Sequence, residues 1–114
     1  MSPLDLDEYQ RLAGRTAQYP GHDEERLAMY PALGLAGEAG EVCEHFKKAL
    51  RDDGGVLTDE RRQAVAKELG DVLWYVAAIA TELGLSLGEV GQGNLEKLLS
   101  RQRRGVIKGD GDDR

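Results

Sequence analysis

Apolar residues recur every three or four positions along most of the chain, which is the spacing of one face of an α-helix. Four such segments, separated by turn residues, predict helices over residues 3–18, 31–51, 59–83 and 87–103. No segment alternates apolar and polar residues over the length of a strand, so no strand is expected. The pattern therefore predicts an all-α fold, a single four-helix, bundle-like domain over residues 1–114.

The predicted helices have recognisable ends and leave two segments outside them. Ser2, Thr58 and Ser86 each precede a helical segment and can accept a hydrogen bond from its first turn, so they are the expected N-caps. Residues 22–30 are expected to form a short helical lead-in, and residues 105–114 a C-terminal tail with little core of its own. Only a short loop joins the second and third helices, which predicts antiparallel packing of this pair.

The second and third helices carry acidic pairs with the same spacing. Glu38 and Glu41 lie on the second helix, and Glu68 and Asp71 lie on the third. Each pair has the same angular offset from the apolar stripe of its helix. On the second helix that stripe consists of Leu35, Ala39, Val42, Phe46 and Leu50. If the two stripes pack on each other, all four carboxylates are expected on one side of the pair and at one level.

Four converging carboxylates favour a cation site. Like charges a few ångströms apart raise one another's pKa, and a bound cation offsets them. A ligand set of oxygens without sulfur suits Mg²⁺ or Mn²⁺ better than zinc. The alternative is that these acids lie on solvated helix faces and bind nothing, which is the usual place of charged residues on helices.

The fourth helix adds candidates for phosphate binding. Asn94, Lys97 and Arg101 edge its apolar face, and an amide with two cations suits the outer oxygens of a metal-bound polyphosphate. Lys48 on the second helix is a further candidate of this kind. The alternative is a buried Asn bonded to backbone, with two cations that extend to solvent. Tyr75 shares the acid-bearing face of the third helix and is a candidate to stack on a base.

Other residues of the second helix are given simpler roles. Gly34 lies on the acid-bearing face, where its missing side chain is expected to leave room for a ligand. Gly37 and Gly40 are expected at close helix contacts. Cys43 is expected to be a small buried residue, and His45 is interpreted as a structural histidine.

Composition and charge narrow the class of protein. The 114 residues are 40% hydrophobic and 32% charged, as in an ordinary globular domain. The longest apolar run, residues 72–80, is far below the roughly 20 residues of a membrane span. The first residues lack a signal-peptide pattern and a single cysteine leaves no disulfide framework, so a cytoplasmic protein without membrane contact is expected.

The net charge is −6, from 15 basic and 21 acidic side chains, which argues against a protein that binds nucleic acid stably through its backbone. Residues 97–114 differ from the rest, because they hold six basic and three acidic side chains. The C-terminal end is therefore locally positive.

Several of these segments together resemble a known family. They are residues 34–42, 47–48, 68–75, 94–101 and 109–112. In these segments the chain is similar to the MazG-like nucleotide pyrophosphohydrolases, an all-α superfamily with a Glu-x-x-Glu motif followed by Glu-x-x-Asp in helices. The similarity extends from about residue 27 to residue 114.

The resemblance implies an enzyme that hydrolyses a nucleoside triphosphate, either a deoxynucleotide or a damaged one, between the α and β phosphates. It implies that Glu38, Glu41, Glu68 and Asp71 bind Mg²⁺, and that the chain forms a homodimer or homotetramer. Such an enzyme would serve in sanitation of the nucleotide pool. Related proteins often have a further acid at the position of Gly37, so the number of metal ions stays open.

Within that reaction Glu38 is expected to take the proton of the attacking water, and the Lys and Arg side chains to hold the departing phosphates. Two other classes of function stand as alternatives. One is a non-catalytic helical interaction module with an acidic face. The other is a di-iron four-helix carboxylate protein, although neither histidine follows a Glu by three residues as the Glu-x-x-His motif requires.

Overall fold

The computed structural model describes residues 4–22 and 28–114. Within these ranges the elements are helices α1 (Leu6–Gly14), α2 (Met29–Asp52), α3 (Asp59–Glu82) and α4 (Leu87–Arg104), without a strand. The all-α prediction is confirmed, and α2, α3 and α4 begin and end within two residues of their predicted bounds. No single helix of the described residues is long and apolar enough to cross a membrane; α3 and α4 would qualify only together, across a bend of 105°.

The first helix is shorter than predicted. It begins after Asp5, whose carboxylate accepts a hydrogen bond from the Glu8 amide at 2.7 Å. The expected cap Ser2 lies outside the described residues, as does most of the lead-in predicted before α2. The helix ends at Gly14 because Thr16 turns back, with its amide and its hydroxyl both bonded to the Ala13 carbonyl.

The predicted caps of α3 and α4 are confirmed. Thr58 accepts a hydrogen bond from the Arg61 amide at 3.2 Å, and Ser86 accepts one from the Glu89 amide at 3.1 Å. Gly84 follows α3 with a φ of +69°, a conformation that favours glycine. These signals act within one turn, so the local sequence predicts where the two helices begin and where α3 ends.

Helices α2 and α3 form an antiparallel hairpin, α1 packs on α3, and α4 packs on α1. Polar side chains of α1 hold the start of α4. Gln10 donates to the Leu85 carbonyl at 2.9 Å and accepts from the Leu87 amide at 2.8 Å. Asp7 accepts from the Gly88 amide at 2.9 Å. This α1–α4 junction sets the direction in which α4 leaves the hairpin.

Part of the predicted apolar stripe of α2 lies at the surface. Phe46 is 48% exposed, Leu50 is 74% exposed, and Ala39 is also exposed. The neighbouring acid-bearing face meets α3 instead, where the ring of Tyr75 packs on Gly34. Packing of stripe on stripe is therefore wrong for these residues, because the small residue on the acid-bearing face lets α3 approach there and turns the stripe outward.

Three smaller expectations for α2 are also wrong for the single chain. Cys43 is exposed. A Cβ placed on Gly37 or on Gly40 would meet no atom within 4 Å, so neither glycine lies at a helix contact. All three positions lie on the side of α2 that faces away from α3.

The chain is more open than a compact domain of its size. Its radius of gyration is 17.1 Å, compared with about 13 Å for a compact domain of 114 residues. Its accessible surface is 8429 Å², compared with about 6,200 Å² for a typical monomer of this mass. Among the described residues the buried apolar side chains are few and mostly small: Ala28, Pro31, Ala49, Val65, Ala77, Ala80 and Leu87.

Candidate metal centre

Three carboxylates meet in the seam between α2 and α3. Glu38 of α2 and Glu68 and Asp71 of α3 each place an oxygen within 4.8 Å of an oxygen of the other two. The loop between the helices reverses the chain, so that these positions fall at one level of the hairpin. Glu38 and Glu68 are half-buried and Asp71 is exposed, so this acidic centre opens to solvent on one side.

The structure does not bring Glu41 into the acidic centre. Its side chain is exposed, one turn beyond Glu38 on the same helix. A residue three positions further on lies about 60° around the helix, so Glu41 points to the rim when Glu38 points into the seam. Its charge still reaches Glu38. Its role as a ligand stays a prediction.

The surroundings of Glu38 shift its pKa. Its pKa is raised, first by a hydrogen bond with Glu68, then by burial, and then by the charges of the neighbouring acids. A hydrogen bond between two carboxyl groups needs a proton on one of them. The acidic centre therefore holds carboxylates that disfavour one another's charge, and a bound cation would offset that charge.

His45 lies at the other side of Glu68. Its Nε2 is 3.7 Å from Glu68 Oε1, and its Nδ1 is buried with no hydrogen-bond partner among the described residues. From the sequence this residue is interpreted only as a structural histidine. Its distance to Glu68 depends on how closely α2 and α3 approach, which the sequence pattern did not indicate.

An open pocket adjoins the acidic centre. Its volume is about 400 Å³, and its lining residues are Thr16, Glu38, Asp71, Trp74 and Tyr75. This volume is in the range of small-molecule sites. Its lining therefore combines two carboxylates with two aromatic rings.

Tyr75 fills the space that Gly34 leaves. A Cβ on Gly34 would lie 2.3 Å from the Tyr75 ring, so the expectation that this glycine makes room for a ligand is wrong: the room is taken by the ring. Burial raises the pKa of Tyr75, with smaller effects from Tyr30 and the nearby acids. The Trp74 ring meets Tyr75 edge to face at 5.1 Å, and its Nε1 donates to Thr16 Oγ1 at 2.9 Å.

Sequence reasoning missed the pocket residues that come from the segment after α1. Thr16 lines the pocket, and Tyr19 meets Trp74 edge-on at 6.1 Å. Tyr19 also stacks on Tyr30 at 5.5 Å. No periodicity relates these positions, because they lie in or beside turns. The available signal was the two tyrosines themselves, Tyr19 before Pro20 and Tyr30 before Pro31.

The predicted phosphate-binding residues do not line this pocket. Asn94 is exposed on α4, while Lys97 and Arg101 bond to Asp112 in the C-terminal tail. Lys48 is exposed on α2, beyond the acidic centre. Helix α4 packs on α1, so within the described part of one chain these candidates are not brought to the acidic centre.

Comparison with known proteins identifies the family. The model of the MazG nucleotide pyrophosphohydrolase domain matches residues 29–106, which include all of α2, α3 and α4. The chain therefore belongs to the MazG nucleotide pyrophosphohydrolase family, as the sequence motifs predicted. It is 49% identical to the Gene 37 protein of Mycobacterium phage L5 over 114 residues, which cover 97% of this chain and 100% of that relative. No solved structure matches the chain.

Proposed function

We propose that the protein is a Mg²⁺-dependent enzyme that cleaves a nucleoside or deoxynucleoside triphosphate between the α and β phosphates. The products would be a nucleoside monophosphate and pyrophosphate. The observation that carries the proposal is the convergence of Glu38, Glu68 and Asp71 beside a pocket with aromatic walls. Family membership supports the reaction class. In the cytoplasm such an activity would remove unwanted nucleotides from the pool.

The acidic centre suits a hard divalent cation. Glu38, Glu68 and Asp71 supply only oxygen ligands, and the pKa of Glu38 is raised by its hydrogen bond with Glu68, by burial and by the charges of the neighbouring acids. Glu41 at the rim is the proposed fourth ligand. Mg²⁺, or Mn²⁺ in its place, would offset phosphate charge and lower the pKa of a water molecule.

Glu38 is the proposed general base. It lines the pocket beside the other carboxylates of the acidic centre, where it could accept a proton from a water molecule that the cation activates. Trp74 and Tyr75 would orient the nucleoside through contacts with its planar base, because the Thr16 hydrogen bond and the Gly34 contact hold both rings in place.

Four residues outside the pocket are proposed to hold the outer phosphates: Asn94, Lys97, Arg101 and Lys48. Because α4 packs on α1 in one chain, we assign the α4 residues to the acidic centre of a neighbouring copy. Arg and Lys neutralise phosphate oxygens, and Arg can do so with two parallel hydrogen bonds.

The bond that is cleaved can be tested with isotope-labelled water. Hydrolysis of a panel of nucleoside triphosphates in ¹⁸O water with Mg²⁺ should place the label in the nucleoside monophosphate, since attack at the α phosphorus is proposed. Label in orthophosphate, with nucleoside diphosphate as the co-product, would refute the mechanism. Absence of hydrolysis across the whole panel would favour a non-catalytic interaction module.

Self-association is part of the proposal. The chain exposes about 2,200 Å² more than a typical monomer of its mass, and a standard interface takes about 800 Å² from each partner. Phe46 and Leu50 on α2 and Leu69 on α3 are the proposed contact residues, because they are large, apolar and 48%, 74% and 53% exposed.

Light scattering at micromolar concentration should report a dimer or tetramer. Leu50→Glu should shift the protein toward monomer, whereas Val56→Glu, at a position 63% exposed in the loop before α3, should not. A wild-type monomer with full activity would refute self-association.

A further inference from the structure

The C-terminal tail folds back on α4 as a closed loop. The Arg114 guanidinium donates to the carbonyls of Val106 and Ile107 at 3.0 Å and of Gly111 at 2.5 Å. Arg104 of α4 donates to the Arg114 carbonyl at 2.8 Å. The tail therefore has a defined position, although the sequence predicted only a segment with little core.

One carboxylate of this loop forms ion pairs with two basic side chains of α4. Asp112 Oδ1 lies 2.7 Å from Lys97 Nζ and 3.0 Å from Arg101 Nη2. The Asp112 carbonyl also accepts a hydrogen bond from Arg101 Nη2. Lys97 and Arg101 are one helical turn apart, so a single anion can bridge them.

The two partners differ in exposure. The Arg101 side chain is 6% exposed, whereas that of Asp112 is 77% exposed. A buried guanidinium is unfavourable without an anion, so this position always needs a negative partner. The Arg101 Nε is buried with no hydrogen-bond partner in the described ranges, so Asp112 does not use every donor that the guanidinium offers.

A phosphate group competes well for such a pair of cations. It carries more negative charge than a carboxylate, and its oxygens can satisfy two guanidinium donors at once. Because Asp112 is exposed and belongs to a tail of ten residues, the tail can leave without unpacking the helices.

We propose that Asp112 is a built-in competitor that occupies the Lys97–Arg101 pair until the pyrophosphate part of the substrate displaces it. This inference rests on the proposed role of these cations in phosphate binding. The tail then lowers the affinity for substrate and for pyrophosphate and leaves the chemical step unchanged. Its ligand class is a polyphosphate anion.

The test compares Asp112→Asn with the matched control Asp113→Asn, which removes the same charge from the next, exposed residue. Calorimetry with inorganic pyrophosphate and Mg²⁺ should give about fivefold tighter binding for Asp112→Asn than for the control, the size expected when one partly exposed ion pair no longer competes. The KM should fall by a similar factor, with kcat within about twofold of wild type. Equal or weaker pyrophosphate binding by Asp112→Asn would overturn the proposal and make Asp112 a structural partner.

A second variant opens the loop without touching Asp112. Arg114→Ala removes the bonds to the tail carbonyls, and it should also tighten pyrophosphate binding, although it deletes a positive charge that would otherwise attract the anion. Weaker binding by Arg114→Ala would count against the competitor role. If wild type hydrolyses no nucleotide, the proposed function fails, yet the pyrophosphate comparison still decides whether Asp112 competes.

Discussion

Two polar regions of the molecule, the α1–α4 junction and the acidic centre, are built in opposite ways. In the junction, Asp7 accepts hydrogen bonds from the Ser86 hydroxyl at 2.7 Å and the Gly88 amide at 2.9 Å, and these bonds lower its pKa. In the acidic centre, Glu38 faces other carboxylates and its pKa is raised. The junction pairs its polar groups within one chain, whereas no Lys or Arg among residues 4–22 and 28–114 forms an ion pair with a carboxylate of the acidic centre.

This difference indicates that the junction has a structural role and the acidic centre a binding role, although no ligand is known. Polar groups that serve stability alone are paired with complementary partners. Groups that disfavour one another persist where a ligand or a reaction uses them. Changes in the junction should therefore reduce stability and spare binding, while changes in the acidic centre should reduce binding and spare stability.

The largest expected effect is the loss of hydrolysis in Glu68→Gln. Removing one carboxylate of the acidic centre should lower kcat/KM by about 100-fold or more and weaken Mn²⁺ binding in a titration, because the cation loses a charged oxygen ligand. Glu44→Gln is the matched control, since this exposed acid of α2 pairs with Lys47 at 2.8 Å outside the centre. Equal Mn²⁺ binding by wild type and Glu68→Gln would disprove the centre.

Glu41→Gln tests whether the residue at the rim of the acidic centre is also a metal ligand. We expect a clear loss of Mn²⁺ affinity if Glu41 turns inward to complete the ligand set. The same titration measures it. Unchanged affinity would remove Glu41 from the site and leave Glu38, Glu68 and Asp71 as its ligands.

The acidic residues show which part of the site could be predicted from the sequence and which part could not. Helical periodicity and the short loop predicted that all four carboxylates share one side and one level if the apolar stripes pack together. The structure brings together Glu38, Glu68 and Asp71, without Glu41 and through a different packing of the two helices. Helical periodicity does not predict how closely two packed helices approach each other. Here the ring of Tyr75 packs directly on Gly34, and Glu41 lies at the rim.

The fold also has features that the local sequence predicts and features that it does not. Caps such as Thr58 and Ser86 act within one turn, so local sequence was enough to predict where α3 and α4 begin. The bonds of Gln10 to Leu85 and Leu87 join residues more than 70 positions apart, and no local pattern indicates them. For the same reason the phosphate-binding role of α4 could be suggested, but not its position on α1.

Gly34→Ala should be the most damaging small substitution in the seam. The new Cβ would lie 2.3 Å from the Tyr75 ring, which must move, so we expect a loss of about 1–3 kcal/mol in the free energy of unfolding together with weaker nucleotide binding. Gly37→Ala is the control on the open side of α2 and should gain about 0.5–1 kcal/mol. Urea denaturation measures both, and equal changes would mean that the Tyr75 contact is absent in solution.

Gln10→Ala tests the junction. The buried Leu87 amide loses its acceptor, which should cost about 1–3 kcal/mol in unfolding free energy, while Mn²⁺ affinity stays at the wild-type value. Gln18→Ala, at an exposed position after α1, should change neither quantity. A loss of Mn²⁺ affinity in Gln10→Ala would show that the junction and the acidic centre are coupled and would break the comparison.

The smallest expected effect is on pH dependence, and it has opposite signs in the two regions. The folded-state pKa of Asp7 is below its usual value of 3.8, so its contribution to stability is present above that pH and is lost as the pH falls through the folded-state pKa. The folded-state pKa of Glu38 is above its usual value of 4.5, so its contribution is present below that pH and is lost as the pH rises through the folded-state pKa. The free energy of unfolding should therefore be measured in EDTA from pH 3 to 7. Asp7→Asn should weaken its pH dependence at the acidic end of this range. Glu38→Gln should weaken it at the upper end, by less than about 1 kcal/mol because solvent screens the acidic centre. Mg²⁺ should abolish the effect of Glu38→Gln on the pH dependence and leave the effect of Asp7→Asn, because only the acidic centre binds the cation. If the effect of Glu38→Gln persists in saturating Mg²⁺, the cation binds elsewhere.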